Sequence, residues 1–127
     1  MPVAEEIALS FVRSSIRSAW MLELLSLLRR DPQRQWTTEA LVHEVRGSIA
    51  LVTESLRSLM AIGFVSLTDA EAYFYRPESA ELDELASALV KLYRQKPATI
   101  LRTIFTSPSD KIQSFSDAFL IRRDDTK

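Results

Sequence analysis

Residues 52–65 read Val52-Thr-Glu-Ser-Leu56-Arg-Ser-Leu59-Met-Ala-Ile-Gly63-Phe64-Val65. A helix is predicted from about Ser48 to Ile62, and its buried face comprises four residues at helical spacing: Ile49, Val52, Leu56 and Leu59. Gly63 stands where helices often end in a left-handed residue. The stretch therefore predicts a helix that stops at Gly63 and is followed at once by another element.

That following element is predicted to be a β-hairpin. Residues 64–68 and 72–76 are two short alternating runs of the kind that form strands, and residues 69–71 between them supply a turn. Pro77 then ends the hairpin.

Two further helices are predicted upstream. An apolar stripe over residues 5–30 predicts one long N-terminal helix, which stops at Asp31 because the residue before a proline avoids the helical region. Thr37 is the predicted N-cap of a second helix. Trp36 and Leu41, on either side of that cap, occupy the two positions of a hydrophobic staple.

The remainder is predicted to be a helical arm. An apolar stripe over residues 82–93 stops at Pro97, which opens a further helix, and residues 107–110 carry a cap-and-proline signal for another one. The later apolar positions of the arm are Ile100, Leu101, Ile104, Phe105, Ile112, Phe115 and Phe119. Because such a stripe is too apolar to leave in water, we expect it to pack on the first helix or to form a two-fold homodimer interface.

Composition agrees with a small, mainly helical protein. The chain has 127 residues, of which 46% are hydrophobic and 26% charged, as in ordinary globular domains. Only two glycines are present, which disfavours sheet-rich folds. We therefore predict a mainly α fold with a small β-hairpin (α+β), divided into an N-terminal helix with the hairpin-containing domain at residues 1–77 and a helical arm at 78–122.

Several classes of function are disfavoured by the same residues. Without cysteine there are no thiolate nucleophiles or disulfides, and two glycines cannot build a phosphate-binding loop. His43 and Glu39 share a helix face but make an incomplete metal site. The acidic residues 78–84 are explained by the dipole at a helix start. We expect a non-enzymatic cytoplasmic protein without a cofactor, a bound metal or a membrane span.

The order helix, helix, helix, hairpin over residues 16–77 resembles a winged helix-turn-helix domain. Residues 52–65 are similar to the end of the recognition helix and the start of the wing in MarR-like bacterial regulators, and residues 36–41 resemble the short first strand and second helix. The resemblance covers about half of the chain. It implies a DNA-binding transcriptional regulator in which residues 48–62 are the recognition helix and 68–72 the tip of the wing.

Under that resemblance, the outward positions of the recognition helix would contact DNA or another partner. They are Ser48, Ala50, Leu51, Thr53, Glu54, Arg57 and Ser58. Arg57 would read guanine, and Thr53 or Ser48 would contact phosphates or bases. The wing would contribute Asp69 and Glu71.

The charge pattern departs from that of most DNA-binding domains. Between Asp31 and Pro77, four arginines and no lysine stand against six acidic residues, and Asp69 and Glu71 at the wing tip should repel phosphates. Two hypotheses therefore stay open. In one, Arg13, Arg17 or the arm supply the cations for DNA; in the other, the domain has lost DNA binding and is an adaptor for a protein partner.

The arm adds two alternatives of its own. Residues 69–84 carry a local net charge of −5 and residues 91–123 one of +5. The basic segment is either a solvated face or a surface for nucleic acid or for the acidic region of another copy. Four aromatic residues could also line a ligand pocket, although aromatic residues at helical spacing are more typical of a core or an interface. They are Trp20, Phe105, Phe115 and Phe119.

Overall fold

The computed structural model describes residues 2–106, which form six helices and one small antiparallel sheet. The elements in chain order are α1 (Pro2–Ser15), α2 (Ala19–Arg30), α3 (Thr38–Val45), α4 (Ile49–Ile62), β1 (Val65–Leu67), β2 (Tyr73–Tyr75), α5 (Ala80–Gln95) and α6 (Pro97–Phe105). The mainly helical fold with a small hairpin is thereby confirmed. The predicted helix start at residues 107–110, and the apolar positions Ile112, Phe115 and Phe119, lie outside the described residues.

The prediction of one N-terminal helix over residues 5–30 is wrong. The chain leaves the helical conformation at residues 16–18 and resumes it at Ala19, and Ser18 is extended, with φ −154° and ψ 159°. The Ser14 hydroxyl donates to the Phe11 carbonyl at 3.2 Å, a local bond of the kind that competes with helix continuation. The break lets the two halves pack in different directions: both contact α5, but α1 also lies on α6, whereas α2 lies on α4 and β2.

The predicted helix-end residues Thr37 and Gly63 are confirmed, and Ser48, which was predicted to be the first helical residue, is the N-cap of α4. The Thr37 hydroxyl accepts the Ala40 N–H at 3.1 Å, and the Ser48 hydroxyl accepts the Leu51 N–H at 3.1 Å, so α3 and α4 each begin with a satisfied donor. Gly63 has φ 106° and its N–H donates to the Leu59 carbonyl, which ends α4 in the left-handed region.

The hairpin pairs β1 with β2 in the register Val65↔Tyr75, Ser66↔Phe74 and Leu67↔Tyr73. Its turn is closed by the Thr68 N–H, which donates to the Ala72 carbonyl at 2.8 Å, and Glu71 takes a positive φ of 61°. Trp36 forms an isolated bridge with Tyr73 through two backbone hydrogen bonds of 2.8 and 2.7 Å. The segment before α3 is thus attached to the hairpin as a single-residue third member of the sheet.

The hydrophobic core is built around α2. Leu22, Leu24, Leu25 and Leu28 are fully buried, so this helix is apolar on most of its circumference. The same cluster of buried side chains extends from Ala8 in α1 to Ile104 in α6. Within residues 2–106, every helix is too short or too polar to span a bilayer.

The first part of the arm therefore packs against the rest of the chain. Ile100 and Ile104 are buried where α6 meets α1 and α5, as one of the two predicted arrangements requires. Phe105 belonged to the same predicted stripe but is 74% exposed at the last residue of α6.

Candidate functional site

The connection between α3 and α4 fixes how α4 is presented. Arg46 ends α3 in the left-handed region with φ 57°, and the Gly47 N–H donates to the Val42 carbonyl at 3.3 Å. The Trp20 ring covers this connection so closely that a Cβ on Gly47 would lie 3.0 Å from it. Position 47 therefore suits glycine because a side chain there would displace the tryptophan. Trp20 has a structural contact here, and Phe105 is exposed; a ligand pocket among the aromatic residues stays a prediction.

The outer face of α4 carries the predicted contact residues. We define the α4 face as Ser48, Ala50, Leu51, Thr53, Glu54, Arg57 and Ser58. Five of these side chains are exposed, and Thr53 and Ser58 are half-buried. The Ser48 hydroxyl oxygen accepts the Leu51 N–H, so its O–H and its second lone pair are what it can offer to a partner.

Ile49 was expected to be buried, and that prediction is wrong. Its side chain is 64% exposed, although Val52, Leu56 and Leu59 of the same stripe are buried. Helical spacing gives the direction of a side chain but not whether another element covers it, and Ile49 is the first residue of α4. With Ala50 and with Leu51, which is 43% exposed, it forms an apolar patch at the start of the helix.

A groove beside the α4 face brings in residues from the N-terminal helices. It has a volume of about 160 Å³ and is lined by Arg17, Ser18, Met21, Leu51, Glu54, Ser55 and Ser58. Arg17 lies in the break between α1 and α2, so the incorrectly predicted continuous helix concealed its position. The groove places a cation beside Glu54, with no ion pair of either residue within the described part of the chain.

The tip of the hairpin is anionic. Asp69 and Glu71 are both exposed there, and within residues 2–106 neither takes part in an ion pair. Arg34, two residues before the Trp36 that bridges to β2, stacks instead on the Trp36 ring, with its guanidinium 3.6 Å from the ring centroid. The two carboxylates at the tip therefore keep their negative field.

A polar cluster joins the hairpin to the helices behind it. The Tyr75 hydroxyl donates to Asp83 Oδ1 at 2.6 Å, and Arg29 Nε lies 3.8 Å from the same oxygen. Burial, and then the hydrogen bond to Asp83, raise the pKa of Tyr75 to about 12. Asp83 was attributed only to the dipole of its helix, and its contact with Tyr75 was missed because periodicity does not report tertiary partners.

Two similar contacts hold α5 against the N-terminal helices. The Tyr93 hydroxyl donates to Glu23 Oε2 at 2.6 Å, and burial followed by this bond raises the pKa of Tyr93 to about 12. Lys96 Nζ lies 3.2 Å from Glu5 Oε2. These contacts are structural, since each connects an N-terminal helix to α5 or to Lys96, the residue that ends α5.

Glu39 and His43, which the sequence analysis described as an incomplete metal site, are not joined by a third ligand within the described residues. His43 lines an open surface groove of about 380 Å³ with Val42, Glu44 and Arg46. Among the residues that the structure describes, no three histidine, cysteine or acidic side chains come together to hold an ion.

The chain matches no protein-family model, no curated protein sequence and no solved structure. What the α4 face binds is therefore inferred from its own residues.

Proposed function

We propose that residues 16–77 form a winged-helix domain and that the chain is a non-enzymatic, DNA-binding transcriptional regulator of the bacterial cytoplasm. The observation that carries this proposal is the exposed face of α4. This helix has Ser48 as its N-cap and follows α3 after a short connection. The hairpin that follows α4, with Trp36 bridging to β2, has the strand order expected of a wing.

The α4 face offers contacts of the kinds that major-groove helices use. Arg57 is exposed and can donate two hydrogen bonds to guanine, while Ala50 and Leu51 suit the methyl groups of thymine. Arg17, across the groove from Leu51, is available for a phosphate. In this arrangement α4 would contact the DNA bases, and cations outside the hairpin would attract the DNA phosphates.

The role of Arg57 can be tested with a matched pair of arginine variants. Arg57→Ala should weaken binding to a specific DNA fragment about 5-fold or more, since one bidentate base contact is worth about 1–3 kcal/mol. Arg30→Ala removes the same charge from an exposed position at the end of α2 and should change the affinity about 2-fold at most. Fluorescence anisotropy with genomic fragments measures both, and equal losses for the two variants would refute a specific role for Arg57.

A protein partner is the second candidate, and a specific observation favours it. Ile49, Ala50 and Leu51 form an apolar patch at the start of α4, and the carboxylates of Asp69 and Glu71 repel phosphates. An adaptor would use the patch as the centre of an interface and Glu54 to pair with a cation on the partner.

Glu54→Lys separates the two candidates because its effects have opposite signs. If DNA is the ligand, the change removes a repulsion and adds a cation, so affinity for DNA should rise. If a protein is the ligand, recovery of a stoichiometric partner in a pulldown should be lost with Glu54→Lys and with Leu51→Ser. Glu39→Lys, at an exposed position on α3, is the matched control for the charge change.

A further inference from the structure

The groove beside the α4 face has two walls that come from different parts of the chain. One wall consists of Arg17 and Ser18, in the break between α1 and α2, and of Met21 in the first turn of α2. The other is a stripe of α4 that runs from Leu51 to Ser58. The groove holds about 160 Å³, whereas pockets for drug-sized ligands hold about 300–1,000 Å³. It therefore suits a small molecule.

A buried hydroxyl lines this groove without a partner. Ser55 is 5% exposed, and within residues 2–106 its hydroxyl makes no hydrogen bond, whereas the Ser48 hydroxyl of the same helix accepts the Leu51 N–H. The Thr103 hydroxyl, in α6, donates to the carbonyl four residues earlier at 2.8 Å, so a helix can satisfy such a group by itself. Leaving a buried hydroxyl unpaired is unfavourable. The groove thus contains a polar group that a bound molecule can satisfy.

The wall formed by the break favours a negative charge. Ser18 is the N-cap of α2, but its hydroxyl accepts no bond from the helix. The N–H groups of a first helical turn and the helix dipole both attract an anion. Arg17 adds a full positive charge to the same wall, and it is exposed and forms no ion pair within the described part of the chain. A carboxylate fits this wall.

The opposite wall carries a negative charge. Glu54 is exposed and, within residues 2–106, also forms no ion pair, although it lines the same groove as Arg17. Its carboxylate would repel a simple anion and attract an ammonium group. Met21 and Leu51 supply apolar lining. A small molecule that carries both charges and an apolar group therefore matches the groove better than an anion does.

We propose that this groove binds a free α-amino acid with a small aliphatic side chain. The carboxylate of the amino acid lies against Arg17 and the start of α2, and its ammonium group lies against Glu54. The Ser55 hydroxyl bonds to one of these charged groups, and the aliphatic side chain contacts Met21 and Leu51. This site goes beyond the proposed function, and it stands whether the α4 face binds DNA or a protein because the ligand is held by the chain alone.

Amide NMR of the full chain titrated with L-valine tests the site directly. Saturable shifts are expected at the amides of Ser18 and Ser55, with a Kd of about 1 mM or lower, which is within reach of a ligand of this size. Two analogues each lack one charge: 3-methylbutanoate has no ammonium group, and 2-methylpropylamine has no carboxylate. Each should bind about 10-fold more weakly or worse, since a hydrogen bond to a charged group is lost.

Matched variants identify the two walls. Arg17→Ala and Glu54→Gln should each raise the Kd for valine about 10-fold. Arg30→Ala and Glu39→Gln, which make the same changes at exposed positions outside the groove, should leave the Kd unchanged. Ser55→Ala should raise the Kd about 5-fold or more, yet it should not lower Tm, because the hydroxyl has no partner in the described part of the chain.

Several results would overturn the proposal. One is the absence of saturable shifts with valine, or shifts confined to residues away from the groove. Another is equal affinity for valine and 3-methylbutanoate, which would show that the groove binds a simple anion. A Ser55→Ala variant that binds valine as tightly as wild type would also contradict the site, as would equal losses for Arg17→Ala and Arg30→Ala.

Discussion

Replacing Gly63 by alanine tests how the structure joins α4 to the hairpin. The residue has φ 106°, a conformation that side-chain-bearing residues rarely adopt. It cannot relax easily, because its N–H donates to the Leu59 carbonyl at 3.1 Å and its carbonyl accepts the Glu78 N–H at 2.9 Å. Any rotation that relieves alanine would lengthen one of these bonds.

The expected loss has two contributions of different kinds. Left-handed geometry costs alanine about 1–2 kcal/mol. A Cβ at position 63 would also lie 2.9 Å from Cδ and Oε1 of Glu78, but that side chain is exposed and can rotate away. We therefore expect Gly63→Ala to lower the free energy of unfolding by about 1–2 kcal/mol and Tm by about 4–8 °C.

Thermal and urea unfolding followed by circular dichroism measure this loss, and two further variants identify its cause. Gly63→Asn should lose less, because asparagine tolerates the left-handed region better than alanine. In a Glu78→Ala background, Gly63→Ala should cost about as much as in wild type if backbone geometry dominates. A substitution that becomes neutral in that background would show that the collision with Glu78, and not φ, was responsible, and would refute the reasoning.

Three other outcomes are expected. Tyr75→Phe should lower the free energy of unfolding at neutral pH by about 1 kcal/mol. Because the pKa of Tyr75 is about 12 in the folded chain against the ordinary 10.0, wild type keeps the contribution of this hydroxyl below pH 10 and loses it as pH rises through 12. Urea titrations across that range should therefore show a shallower decline of stability in the variant, and an unchanged decline would contradict the contact with Asp83. Ser48→Ala should cost about 0.5–2 kcal/mol by removing the α4 cap, and thermal melts indistinguishable from wild type would argue against that cap. Leu56→Ala should cost about 2–5 kcal/mol in the same melts, since the side chain is fully buried, and a loss below about 1 kcal/mol would contradict its place in the core.

Local signals in the sequence predicted the boundaries of the central elements. Thr37 and Gly63 act through their own backbone neighbours, so their residue types suffice to mark where α3 begins and where α4 ends. The hairpin was also predictable, because the alternation over residues 64–76 is a property of adjacent positions.

Features that depend on distant parts of the chain were not predictable. The helix break at residues 16–18 was hidden because Ile16 stays buried across it and continues the apolar stripe. Ile49 was assigned to the core because spacing cannot show that, within residues 2–106, its side chain stays 64% exposed at the start of α4. The bond between Tyr93 and Glu23 joins residues 70 positions apart, for which one sequence carries no signal.

The salt dependence of binding to genomic DNA fragments tests the central claim, that the α4 face contacts DNA, most directly. If Arg13 and Arg17 neutralise about two phosphates, the association constant should fall about tenfold between about 50 and about 200 mM salt. Binding that is absent at the lower salt, or that does not change between the two, would contradict the claim and leave the protein-binding alternative.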